Sequence, residues 1–74
     1  MALEKVLFPM MGKIVSVDVK VGDKVAQDQP LATFEAMKMQ MKLPSPCAGV
    51  VAEIAISAGQ SVEADQVFGT VEKG

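Results

Sequence analysis

Lys38 lies in Glu35-Ala36-Met37-Lys38-Met39, a primary amine between two thioethers at the midpoint of a 74-residue chain. Few other side chains here offer chemistry. There is no His and a single Cys, so a zinc or transition-metal site lacks a ligand set. No nucleophile stands paired with a base, so the chain does not read as an enzyme. None of the six glycines opens a Gly-Lys-Ser/Thr phosphate loop. The amine of Lys38 is left as the group whose placement is special.

That placement comes from an internal repeat. Pro9 pairs with Pro46, Gly12 with Gly49, Gly22 with Gly59 and Val25 with Val62. Asp28 pairs with Asp65, Gln29 with Gln66, Thr33 with Thr70 and Glu35 with Glu72. The offset is always 37 residues (46 minus 9, 72 minus 35), with no gap. Half-repeats of about 1–37 and 38–74 fill the chain, and Lys38 opens the second. Solenoids need about three or more units, so two copies predict one closed domain over 1–74 with pseudo-twofold symmetry. Glu35, matched by Glu72 away from any predicted site, reads as structural.

The local patterns are those of strands. Val15, Val17, Val19 and Val21 alternate with polar residues, and Ala52, Ile54, Ile56 and Ala58 repeat the pattern. Such alternation predicts long strands burying those residues on one face. Val21-Gly22-Asp23-Lys24 and Ala58-Gly59-Gln60-Ser61 read as matched turns. Gly12 and Gly49 mark sharp starts to the long strands, and Pro9 and Pro46 fit strand ends. Leu31–Met37 and Phe68–Lys73 are the last strands of their halves. Glu35–Lys42 is rich in helix formers, but it is short and stopped by Pro44 and Pro46. Its second part aligns with Ala2–Val6, so we read two strands reversing near Lys38. The predicted fold is all-β: a flattened barrel or sandwich of two four-stranded antiparallel sheets. Symmetry then puts Lys38 on a hairpin tip at one end and the chain termini at the other.

Composition sets further bounds. Half the residues are apolar, but with no Trp or Tyr and three Phe the core is predicted to be aliphatic. Met37, Met39 and Met41 alternate with polar residues, and Cys47 reads as packing. A lone Cys forms no internal disulfide, which fits a reducing cytoplasm. The net charge of −2, without basic runs or interleaved aromatics, argues against nucleic acid. Apolar stretches are too short to cross a bilayer, and Met1-Ala2-Leu3-Glu4-Lys5 lacks the regions of a signal peptide.

Glu35-Ala36-Met37-Lys38-Met39 resembles the attachment signature of biotinyl domains, the biotin carboxyl carrier family of biotin-dependent carboxylases and decarboxylases. The resemblance runs from about Val6 to Glu72. It includes Pro9-Met10-Met11-Gly12, Val21-Gly22-Asp23, Pro30-Leu31 and Ala48-Gly49-Val50-Val51. It implies a barrel-sandwich hybrid in which Lys38 carries biotin in an amide bond. Ala36, Met37 and Met39 would complete the attachment motif, the two methionines serving recognition. The implied partners are a biotin protein ligase, a biotin carboxylase, and a carboxyltransferase or decarboxylase subunit. Gln40 stands where many members have an acid or Asn. The stretch between Gly12 and Gly22 has no room for the protruding thumb of some acetyl-CoA carboxylase carriers.

The residue types suit that implied role. A free lysine, with pKa about 10.4, is neutral only about once in a thousand molecules near pH 7. Deprotonation would therefore fall to the ligase, and the domain need only present the amine. Lysine and valeryl chain together span about ten bonds, a reach on the order of 12–13 Å at roughly 1.25 Å per bond. Two other readings share parts of the pattern. A lipoyl domain of a 2-oxoacid dehydrogenase has the same twofold architecture, but its lysine usually follows Asp, where this chain has Met37. An unmodified interaction module of hybrid-sandwich type would have no reason to keep Ala-Met-Lys-Met.

Overall fold

A computed structural model describes residues 2–74; Met1, which opens the first half-repeat, lies outside them. Eight strands follow one another without a helix among the described residues. They are β1 (Leu3–Leu7), β2 (Gly12–Val17), β3 (Lys24–Val25), β4 (Pro30–Ala36), β5 (Met39–Pro44), β6 (Gly49–Ile54), β7 (Ser61–Val62) and β8 (Val67–Lys73). One antiparallel sheet has the order β1-β8-β6-β3 and the other β5-β4-β2-β7. An offset of 37 turns the first order into the second. Each sheet takes two strands from each half, so the halves interlock rather than sit side by side.

The repeat extends to individual hydrogen bonds. Lys20 N donates to Asp23 Oδ2, and its counterpart Ser57 N donates to Gln60 Oε1. Ala26 N donates to Gln29 Oε1 at 3.0 Å, as Glu63 N does to Gln66 Oε1. The first pair ties the turns that carry Gly22 and Gly59, whose φ values of 97° and 88° suit only glycine well, and the second ties the turns that carry Asp28 and Asp65. Gly12 and Gly49 open β2 and β6, where the backbones come close. A Cβ on Gly49 would clash with the Glu72 carbonyl oxygen.

Two expectations need correction. The valine alternation does not hold through Val21. Ile14 faces Phe34 but Ser16 faces Thr33, so Val15 is an extra, bulged residue. The bulge shifts the inward face to Ile14 and Val19, with Val17 half-buried, and leaves Val15 and Val21 exposed. β2 ends at Val17, and the chain then runs beside the sheet to the turn. A matching bulge between Val51 and Glu53 exposes Ala52, while Val51 and Ile56 are buried. Ala58 is likewise exposed.

The core is also not purely aliphatic. Phe8, Phe34 and Phe68 are fully buried. Phe8 meets Phe34 edge-on at 5.4 Å between centroids, and Phe68 at 6.2 Å. Such edge contacts add about 0.5–1.5 kcal/mol each beyond simple burial. Val6, Leu31, Leu43, Val62 and Val71 close around them, and Met10, Met41 and Cys47 pack on the outside.

The run from Gly12 to Asp23 spans the domain, whose long axis is 36 Å. Gly12 abuts Glu35, just below Lys38. Asp23 O accepts from Val51 N, beside the end where Lys73 N donates to Ala2 O. The Lys38 hairpin and the two chain ends therefore occupy opposite poles.

Candidate functional site

The hairpin of β4 and β5 positions Lys38. Glu35 pairs with Gln40 and Ala36 with Met39, which leaves Met37 and Lys38 as a two-residue loop. Both have positive φ, 52° and 65°. A turn of this hand matches the twist of the flanking strands and normally selects Asn-Gly. Left-handed backbone costs an ordinary residue about 1–2 kcal/mol. Met and Lys are poor choices for the turn, so the ladder below must hold the strain. Unfavourable side chains at a strained tip point to a use for those side chains.

The side chains divide by register. Ala36 is 5% exposed and turns into the core, so it supports the tip rather than presenting itself. Met37 is 88% exposed and Met39 67%, and Lys38 is exposed between them. Met41, further down β5, is half-buried against the core. Lys42 is held: its Nζ donates to Thr33 Oγ1 at 2.7 Å, and Thr33 Oγ1 donates to Asp18 Oδ2 at 3.1 Å. Glu35 is exposed on β4, across from Gln40.

Beside the tip lies an open groove of about 560 Å³ that the sequence did not reveal. Buried Ala36 and Val62 form its floor, Met11 and Met37 are apolar wall, and Glu35 and Glu63 lie along it. Met11 belongs to the β1–β2 loop and is 69% exposed. The sequence does carry a signal for it: the repeat sets Met11 against Ala48. Among the described residues no group of His, Cys, Asp and Glu is arranged to hold a metal ion. The site can offer an amine in solvent, framed by uncharged, flexible thioethers, with no cleft enclosing the amine itself.

Comparison with known proteins bears on this arrangement. Residues 4–71 match the sequence family described as biotin-requiring enzyme. Over 62 residues the chain is 52% identical to the propionyl-CoA carboxylase alpha chain of Ruegeria pomeroyi, covering 84% of this chain and 9% of that protein. Over 56 residues it is 48% identical to the biotin carboxyl carrier protein of Streptococcus mutans, covering 76% and 43%. A solved single-chain, multi-domain long-chain acyl-CoA carboxylase contains the same fold, with a TM-score of 0.91 at 24% identity over 97% of this chain and 7% of that one. The chain thus spans less than half the length of each of these three proteins.

Proposed function

The chain belongs to the biotin-requiring enzyme family, and from that membership we propose that it is a carboxyl carrier domain modified at Lys38. The observation that carries the reading is the exposed Lys38 at the second position of a two-residue left-handed turn. Its amine stands in solvent at the tip, flanked by the exposed Met37 and Met39. The residues present fit a covalently attached biotin: an accessible amine, no charged immediate neighbours, and open space around the arm.

When attached, biotin supplies a ring nitrogen that accepts and donates a carboxyl group. The chain's own part is attachment and presentation. In attachment, the Lys38 nitrogen displaces the activating group from an activated biotin carboxyl, forms an amide and loses a proton to the ligase. The arm of about 12–13 Å then lets the ring reach water-excluded sites that this domain does not itself build. Tethering keeps the ring at high local concentration near both sites. We assign those sites to a biotin carboxylase and to a carboxyltransferase or decarboxylase partner, and the whole of residues 1–74 to one carrier domain. The lone Cys47 suits a reducing compartment, and we place the protein in the cytoplasm.

The test is the intact mass of the protein from its native host, repeated after Lys38→Arg. A single biotinyl increment, lost in the variant, is the expected result. A lipoyl increment would instead assign the chain to acyl transfer in a 2-oxoacid dehydrogenase. No increment would leave an unmodified interaction module. For Met37 and Met39, the double replacement by Leu should slow biotinylation or carboxyl transfer; unchanged rates for both would remove them from recognition.

A further inference from the structure

The two poles of the domain share one backbone but not one set of side chains. The groove beside Lys38 has Met11, Lys13 and Glu63 where the other pole has Ala48, Val50 and Ala26. Glu35 and its counterpart Glu72 are the same residue type at both poles. Duplication gave both poles the same frame, so departures from symmetry beside the lysine record what that pole alone must do. Met11 is the departure least explained by folding. It is 69% exposed, while its neighbour Met10 packs on the core. With Met37 at 88% it lines the groove over buried Ala36 and Val62, among the charged Lys13, Glu35 and Glu63.

We infer that Met11 is a specificity-determining contact for the enzyme that acylates Lys38, which packs an apolar side chain against the exposed Met11 thioether at the groove. The inference rests on the carrier reading above. Distance favours the acylating enzyme over later partners. A lysine side chain spans five bonds, roughly 6 Å, so an active site closing on the bare amine must cover Met37 and the groove that continues from it. A partner that receives the ring at the end of the full arm stands about twice as far away and has no need to cover Met11. Apolar surface of this kind contributes to binding when an apolar partner excludes water from it.

The experiment uses the unmodified chain, a purified biotin protein ligase, biotin and ATP, with KM and kcat measured for the chain as substrate. Met11→Ala and Met11→Gln should raise KM about tenfold, a factor equivalent to 1.4 kcal/mol, with kcat little changed. Met11→Leu, which restores apolar volume, should stay within about twofold of wild type. Ala48→Met, which places a Met at the equivalent position of the opposite pole, should have no effect. Met11→Gln keeps the side-chain length, so its difference from Met11→Leu separates lost apolar contact from any loss of folding. The same variants, once biotinylated, should be carboxylated by biotin carboxylase at the wild-type rate. An unchanged KM in Met11→Ala, or a loss confined to carboxylation, overturns the inference while leaving Lys38 as a biotinylated residue. A wild-type chain that takes no biotin overturns the carrier reading, and this contact with it.

Discussion

Phe8 and Ser45 occupy equivalent places in the two halves, yet one is a core aromatic ring and the other a buried hydroxyl. Their backbones make matching bonds, Phe8 N to Gln66 O and Ser45 N to Gln29 O. Phe8 is fully buried against Phe34 and Phe68, while Ser45 Oγ donates to the Cys47 carbonyl at 2.7 Å. The frame is symmetric and the core filling is not.

Phe8→Ala should therefore cost far more than Ser45→Ala. Removing a buried Phe costs about 3–5 kcal/mol, and removing the hydroxyl about 1 kcal/mol. A domain of this length has a total stability on the order of 4–11 kcal/mol. Urea unfolding should show Phe8→Ala close to unfolded and Ser45→Ala still cooperative. Similar losses in both variants would contradict a core centred on Phe8.

The turn should show stability and function pulling in opposite directions. Asn suits positive φ better than Met, so Met37→Asn should raise stability by about 0.5–1 kcal/mol. The same change should lower the rate of biotinylation, because it removes the most exposed thioether. Denaturation midpoints and ligase assays on one preparation settle the matter. A variant that gains stability and keeps full acceptor activity would leave the choice of Met unexplained.

The glycines separate into two kinds. Gly59 has positive φ but open space around it, so Gly59→Ala should cost about 1–2 kcal/mol through backbone strain. In Gly49→Ala the new methyl would meet the Glu72 carbonyl. That clash forces β6 away from β8 and should cost about 3 kcal/mol or more. Thermal melts of the two variants should rank in that order.

Fragments test the interlocking of the halves. Peptides 1–37 and 38–74 should each be unfolded alone, since each keeps only one adjacent strand pair, β2–β4 or β6–β8, and loses the other partners of both sheets. Mixed, they should regain the β-sheet circular dichroism of the intact domain in a concentration-dependent way. A fragment that folds by itself would refute the strand order.

Much of the fold was legible because both levels of pattern agreed. The offset of 37 marks every turn twice except the Lys38 hairpin, whose counterpart is the chain ends, and Pro44 and Pro46 outweigh the helix propensity of Glu35–Lys42. The tip was legible for the same reason, as the place where two matching strands must reverse. The bulge at Val15 was not legible, because a run of alternating valines looks the same whether or not one residue is extra. The burial of all three phenylalanines in one cluster was hidden too. Phe8, Phe34 and Phe68 have the counterparts Ser45, Val71 and Leu31, so the repeat gave no sign that they meet. The groove exists only in the folded domain, since it joins the β1–β2 loop to β7 and β4, segments far apart in sequence.

A half-length chain of this design would have no complete sheet until it met a twin. Linking the twins head to tail closes one pole with a bend and leaves two loose ends at the other. Whatever polypeptide adjoins this domain must therefore leave from the far side, along an axis of 36 Å. The Lys38 amine stays clear of that polypeptide, with the whole body of the domain between the two.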